Sequence, residues 1–230
     1  MGEWFESVGI ESRKLPSTGL LDLSTSGYPT PPRENSGLTL VLASGSATRA
    51  KLLTAAGVAF TVDVPSVDEP ALRAKASGGA AAAQVIAEQK ALAVATRRPS
   101  DWVIGSDQVL QIGPVLLGKP GSWREARNQL QVLRGRTHEL ITTVAVARSA
   151  GIVWHHTEVA HLTVRAFSNE ALDRYEANAG DAVLSSPGAY HLEGLGASLF
   201  EQVRGDYFSI LGLPLLPLMA YLRSQDVLPQ

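Results

Sequence analysis

A short turn at Ser44-Gly45-Ser46, followed by Arg49, has the residue types of a phosphate-binding site. A glycine lets the backbone approach a ligand closely. Two hydroxyls, together with the free amides of a following helix, can receive phosphate oxygens. Arg49 adds a cation with a planar fork of donors. A Ser-Gly-Ser turn before a helix is also a common helix cap, so the turn alone leaves both interpretations open.

Carboxylates occur at two further places where they could serve a metal ion or a proton transfer. Asp68 and Glu69 are adjacent at the end of a predicted strand. There they are either solvated or folded toward a divalent cation and phosphates. Asp107 follows Gly105 just past a predicted buried strand, and α/β proteins place ligands at that end of a sheet. A structural turn aspartate is the competing interpretation of Asp107.

Two lysines have positions from which they could contact phosphate. Lys119 is held between Gly118 and Pro120, which restrict its direction, although the same pattern occurs at simple turns. Lys90 lies on an Ala-rich predicted helix, where an ordinary exposed lysine is the alternative. Taken one at a time, these segments do not establish a function.

The composition excludes several classes of protein. The 230 residues carry a net charge of −2, which argues against coating nucleic acid or an anionic membrane. There is no cysteine, so disulfides, thiolate nucleophiles and Cys-type metal sites are excluded. No apolar run of about 18 residues is present to span a bilayer. The N-terminus contains Glu3 and Glu6 and lacks the apolar segment of a secretory signal peptide, so we expect a cytoplasmic protein.

Residues 1–36 differ in composition from the rest of the chain. Ser, Thr and Gly recur there, with four of the 13 prolines, and no helical or strand period survives. This pattern predicts a flexible N-terminal extension, followed by one domain over residues 37–230. A docking arm that uses Trp4 and Phe5 is the functional alternative.

The rest of the chain mixes strand and helix patterns. Apolar runs and alternation predict strands, and capping residues with helical spacing predict helices. The strands are expected at 38–43, 58–64, 102–105, 109–117 (a hairpin), 140–148 and 152–166. The helices are expected at 47–56, 71–96 with a break near 78–79, 122–135, 168–178 and 215–223. Because the two types do not alternate strictly, the sequence predicts an α/β fold with a mixed β-sheet.

The order and spacing of these segments resemble the Maf family of nucleotide pyrophosphatases, from about Leu38 to Arg223. No single stretch decides the resemblance; it rests on their order and spacing over about 185 residues. The matching stretches are 42–49, 67–69, 88–91, 105–109, 118–120, 133–138, 188–190, 193–196, 205–207 and 212–214.

The resemblance implies a hydrolase that cuts a nucleoside triphosphate between its α- and β-phosphates and clears non-standard or modified nucleotides. It also implies a twisted mixed sheet with flanking helices, two lobes around a nucleotide-binding cleft, a homodimer, and a divalent cation, Mg²⁺ or Mn²⁺. Because the family name is tied to arrest of septum formation, a nucleotide-binding regulator of cell division with little turnover is the alternative.

The resemblance also implies roles for single residues. Asp107 matches the catalytic base and shares the metal ion with Glu69. The residues that match the triphosphate site are Ser44, Ser46, Arg49, Lys90 and Lys119. A regulator that only binds nucleotide need not retain a general base, so the presence of Asp107 with these residues favours an enzyme.

Three further positions bear on the choice of base, and the sequence departs from the family pattern here. Ala47 replaces the usual proline of the turn, and Thr48 stands where many members have Arg or Trp. Gln108 and Glu193 resemble the branch that prefers 7-methyl-GTP. A glutamate can accept two hydrogen bonds from the guanine edge and favours a cationic methylated base. Thr48, however, lacks a ring that would stack on that base.

Overall fold

The computed structural model describes residues 39–230. The predicted extension over residues 1–36, with its alternative as a docking arm, lies outside the described residues. No helix in the described part of the chain is long and apolar enough to cross a membrane.

Within residues 39–230 a seven-stranded mixed sheet forms the centre of the fold, which confirms the predicted α/β class. Its strands are β1 (Leu40–Ala43), β2 (Thr61–Val62), β3 (Trp102–Ile112), β4 (Val115–Leu117), β5 (Thr137–Arg148), β6 (Gly151–Val164) and β7 (Phe200–Arg204). The order is β2-β1-β3-β5-β6-β7, with β4 paired to β3. The β2-β1-β3 part is parallel, whereas β3 pairs antiparallel with β4 and β5, and β5-β6-β7 continues antiparallel.

Seven helices flank this sheet in the described residues: α1 (Ala47–Ala55), α2 (Glu69–Lys75), α3 (Gly79–Ala95), α4 (Trp123–Leu133), α5 (Asn169–Ala179), α6 (Tyr207–Ile210) and α7 (Leu215–Ser224). The predicted serine caps are confirmed. Ser46, Ser122 and Ser168 each accept a hydrogen bond from a backbone amide three residues on. The predicted break near Gly78 is confirmed too, since it separates α2 from α3.

Strand β3 is longer than predicted, and this corrects the placement of Asp107. The sequence ends the strand at Gly105, but β5 pairs with β3 from Val103 as far as Gln111. Asp107 therefore lies inside the strand. The neighbouring parallel strand β1 ends at Ala43, opposite Gly105, so Asp107 still lies beyond the carboxyl end of that neighbour.

Two separate apolar cores pack against one face of β3. Ile104 belongs to one of them, with the buried face of α1 and α7. Leu110 belongs to the other, with α4 and α5. The long strand thus runs through both halves of the fold. Asp107 lies on the other face of β3, between Val103 and Val109, which belong to two further apolar clusters. Its buried partner on that face is Lys90.

Gly105 allows α3 to pack directly on β3. A Cβ atom at this position would lie only 2.2 Å from the carbonyl oxygen of Ala87 and 2.7 Å from the amide nitrogen of Ala91. The small residues of the helix and this glycine bring the two backbones together. As a result, Lys90 on α3 faces Asp107, two residues after the glycine.

Candidate active site

A cleft of about 370 Å³ opens where the two halves of the fold meet along β3. Its walls come from the start of α1, from α2, α3 and β3, and from the chain around residues 118–119, 185–193 and 210–212. Nine of the ten residues predicted for the site line the cleft. They are Ser46, Thr48, Arg49, Glu69, Lys90, Asp107, Gln108, Lys119 and Glu193. Only Ser44 does not line it.

Lys90 bridges two carboxylates at the base of this cleft. Its Nζ lies 2.7 Å from Oε1 of Glu69 and 2.8 Å from Oδ1 of Asp107. The Lys90 and Asp107 side chains are buried, and that of Glu69 is about one-third exposed. The interpretation of Lys90 as an ordinary exposed lysine is therefore wrong. We call these three residues the Lys90 triad.

The cationic surroundings keep the Glu69 carboxylate ionised. Burial alone would raise its pKa, but the hydrogen bond and charge of Lys90, with the charges of Lys119 and Arg73, hold the pKa below its usual value. Glu69 is therefore available as an anionic oxygen ligand at neutral pH.

One oxygen of the triad has no hydrogen-bond partner among residues 39–230. Oδ2 of Asp107 is buried without a hydrogen bond, although burying a carboxylate oxygen in this way is costly. In the described residues no group of three or more His, Cys, Asp or Glu could hold a metal by itself. Two carboxylates beside an open cleft instead fit a hard divalent cation that takes its remaining ligands from substrate phosphates and water.

Arg49 is fixed in the opposite wall by two contacts. Its Nε donates to the carbonyl oxygen of Gly212 at 2.7 Å, and its Nη1 donates to Oγ of Ser44 at 3.1 Å. Burial lowers the pKa of the guanidinium, while the charges of Asp107 and Glu69 oppose that shift. An arginine remains protonated under these conditions, so the cleft contains a preoriented cation.

The two serines of the turn have different places. Oγ of Ser46 lines the cleft and caps α1 by accepting from the amide of Arg49 at 3.4 Å. Oγ of Ser44 lies behind it and accepts from the Ser46 amide at 3.2 Å and from Arg49. The structure therefore gives Ser44 a supporting position, with Arg49 between it and the cleft.

The residues associated with base choice line the cleft in different ways. Nε2 of Gln108 lies 2.9–3.0 Å from Oγ1 of Thr142 and from the carbonyl oxygens of Ser209 and Ile210. Those carbonyls can only accept, so they fix the orientation of the amide and leave its oxygen free for other partners. Thr48 is half-buried, and Glu193 is exposed.

The family model described as Maf-like protein matches residues 39–225. The chain belongs to the Maf-like family. A nucleoside triphosphate pyrophosphatase of Paramagnetospirillum magneticum is 50% identical over 82% of this chain and 99% of its own. A 7-methyl-GTP pyrophosphatase of Brucella abortus is 44% identical over 81% and 96%. A nucleoside triphosphate pyrophosphatase of Rhodospirillum rubrum is 46% identical over 82% and 96%.

In this Maf-like chain, Arg73 is a cleft residue that the sequence did not reveal. It lies on α2, one turn after Glu69, and its guanidinium comes close to Gly118. Its Nε is buried and has no hydrogen-bond partner in the described part of the chain. The spacing of four from a candidate metal ligand on one helix is a signal that could have pointed to it.

A buried pair, His138 and Tyr190, supports the far side of the cleft. Nε2 of His138 lies 2.7 Å from the hydroxyl of Tyr190, and the Tyr190 ring lines the cleft. Burial lowers the pKa of His138 to about 4 and raises that of Tyr190 far above its usual value. Both residues lie in stretches that carry the family resemblance, but residue type alone gave neither a role.

Proposed function

We propose that this Maf-like protein hydrolyses nucleoside triphosphates to nucleoside monophosphates and pyrophosphate. The Lys90 triad carries the proposal, because it places an ionised carboxylate and a buried aspartate with a free oxygen in a cleft lined by cations. The relatives named as nucleoside triphosphate pyrophosphatases support the same reaction. The chain is thus an enzyme that acts on a phosphoanhydride bond.

Asp107 is the proposed general base. A water molecule attacks the α-phosphorus, its proton passes to the Asp107 carboxylate, and the bridging oxygen leaves with the pyrophosphate. Lys90 holds Oδ1 of Asp107 at 2.8 Å, which orients the carboxylate and leaves Oδ2 free to accept. The proposal needs no residue to move into the cleft.

Cations stabilise the charge that develops on the leaving pyrophosphate. Arg49, Arg73 and Lys119 all line the cleft. Positive groups fixed before the reaction act strongly on a departing phosphate, because no reorganisation is needed. The free amides at the start of α1, capped by Ser46, add a further binding place for phosphate oxygens.

Glu69 and Asp107 are the proposed ligands of a divalent cation, Mg²⁺ or Mn²⁺. Such an ion, when bound, neutralises phosphate charge and fixes the triphosphate relative to the base. The ionised state of Glu69, with Asp107 beside it in the same cleft, supports this assignment. Removal of divalent ions with a chelator should stop pyrophosphate release, and added Mg²⁺ or Mn²⁺ should restore it.

The decisive test is pyrophosphate release from a panel of standard and modified nucleotides. Asp107→Asn should abolish release, because an amide cannot accept the proton, while the exposed Asp226→Asn serves as the matched control. Unchanged pyrophosphate release by Asp107→Asn would refute the role of Asp107 as the general base. Tight nucleotide binding without release from any nucleotide would favour the regulator of cell division.

A preference for 7-methyl-GTP is a finer proposal. Gln108 and Glu193 both line the cleft, and the Brucella relative is named for that substrate. Glu193 would pair with the guanine edge, and Gln108 would present its free amide oxygen. The panel should then show the highest kcat/KM for 7-methyl-GTP. Equal rates on UTP and dTTP with none on guanine nucleotides would contradict this preference.

Three expectations stay predictions: a homodimer, a cytoplasmic location, and residues 1–36 as an extension dispensable for catalysis. Light scattering of the full chain tests the first, and fractionation of cells that express it tests the second.

A further inference from the structure

We infer that Gln129 is a positioning residue that clamps the two loops of the cleft together, an inference that rests on the proposed function. One is the phosphate-side loop, residues 118–121, and the other is the base-side loop, residues 185–193. From α4, Nε2 of Gln129 donates to the carbonyl oxygen of Gly118 at 3.0 Å. Its Oε1 accepts from the amide of Gly188 at 2.9 Å. One side-chain amide thus bonds both loops.

The first arm of the clamp fixes the backbone that carries Lys119. The Lys119 side chain is exposed, so the backbone on either side decides where its ammonium can reach. Gly118 immediately precedes it and has no side chain of its own to anchor the loop. The bond from Gln129 anchors the loop on this side of Lys119, while on the other side the Gly121 amide donates to Oε2 of Glu125 at 2.7 Å. Loss of the Gln129 bond should weaken contacts to the pyrophosphate part of the substrate.

The second arm fixes the start of a tightly folded segment. Gly188 has φ of +79°, and a Cβ there would lie 2.6 Å from the Tyr190 ring. The next residue, Ala189, also has positive φ, and its carbonyl oxygen accepts from the Tyr175 hydroxyl at 2.9 Å. This segment leads to Tyr190 and Glu193 in the cleft wall. If the Gly188 amide loses its bond to Gln129, this segment is no longer anchored there, and base selectivity should therefore change.

Glutamine is suited to this position because its amide both donates and accepts. Gln129 is half-buried on α4, whose apolar face packs into the core through Ala126, Leu130 and Leu133. A glutamate here keeps only the acceptor, a lysine keeps only the donor, and a methionine of similar length has neither. These three substitutions therefore separate the two arms.

Two measurements report on the two arms in the full chain. Inhibition by pyrophosphate reports on the phosphate-side loop, and the ratio of kcat/KM between the best and worst nucleotide reports on the base-side loop. Gln129→Met should weaken pyrophosphate inhibition by about fivefold, the equivalent of one hydrogen bond, and should lower the selectivity ratio by a similar factor. The Gln129→Met substitution introduces no charge, so neither effect can be electrostatic in origin.

The charged variants should split these effects. Gln129→Glu should weaken pyrophosphate inhibition and keep the selectivity ratio, whereas Gln129→Lys should lower the ratio and keep the inhibition. The exposed Gln131 on the same helix provides matched controls, Gln131→Glu and Gln131→Lys, which correct for added charge. Thermal unfolding of every variant separates a loss of folded protein from a change in the cleft.

The outcomes distinguish the inference from the function on which it rests. A wild-type chain that releases no pyrophosphate from any nucleotide overturns the proposed function. A wild-type chain that is active, with Gln129→Met matching it in both inhibition and selectivity, overturns the clamp. A lower melting temperature of Gln129→Met, with pyrophosphate inhibition and the selectivity ratio both unchanged, also overturns the clamp, since Gln129 would then matter only for stability.

Discussion

Protonation of His138 should destabilise the fold below neutral pH. This histidine is 1% exposed, and burial lowers its pKa from 6.5 to about 4. Its Nδ1 has no hydrogen-bond partner in the described residues, and its Nε2 bonds only to Tyr190. The folded state therefore binds a proton less readily than the unfolded chain. Stability from this residue is complete above pH 6.5 and is lost as the pH falls toward 4.

The size of the effect follows from the two pKa values. At pH 5 the unfolded chain is almost fully protonated at His138 and the folded chain is not, which costs about 2 kcal/mol. Near and below pH 4 the loss levels off at about 3 kcal/mol, because both states then bind the proton. Above pH 7.5 the residue contributes no pH dependence.

Urea unfolding at pH 7.5, 6.5, 5.5 and 5.0 measures this contribution. His138→Gln keeps a hydrogen-bonding side chain but cannot titrate, so the wild type minus the variant isolates the residue from other acid-sensitive groups. The exposed His161→Gln is the matched control and should follow the wild-type profile. If His138→Gln and the wild type lose stability in parallel between pH 7.5 and 5, the assignment of a buried neutral histidine is refuted.

Further predictions concern packing, charge and the domain boundary. Lys90→Met should abolish pyrophosphate release and cost about 3 kcal/mol in urea unfolding, because two carboxylates lose their buried partner; adding Asp107→Asn should restore part of the stability but no activity. Gly105→Ala should cost about 1–3 kcal/mol through overpacking and lower kcat, whereas Gly151→Ala, with its nearest neighbour 3.8 Å away, should be nearly neutral in the same assays. Deletion of residues 1–36 should leave the melting temperature and turnover unchanged, since the family match begins at residue 39; a large loss of either would show that the segment belongs to the domain.

Local pattern was sufficient for most of the fold. The serine caps, the 109–117 hairpin and the long β5-β6 pair are short-range features, and they were predicted because turn and capping residues determine them locally. Strand β7 was missed because it has no alternation: four of its five residues are exposed, and it is held by pairing with β6 and by packing of Phe200 on the core. The short helix α6 offered too few residues for a period.

The site was predicted through resemblance more than through pattern. Lys90 on its Ala-rich helix looked exposed, because its burial depends on the close approach that Gly105 permits between α3 and β3. Arg73 and Gln129 look like ordinary polar helix residues in the sequence. Their partners come from loops distant along the chain, so only the tertiary structure shows what they contact.

The anchoring of Arg49 by Gly212 has a consequence for the timing of activity. The two residues are 163 positions apart, and Ser106 donates to the same carbonyl oxygen at 3.0 Å. Contacts of such separation form late in folding, after a large loss of chain entropy. A nascent chain that has not reached residue 212 leaves Arg49 without this anchor. The enzyme should therefore become competent only near the end of folding, so that incomplete chains do not consume nucleotides.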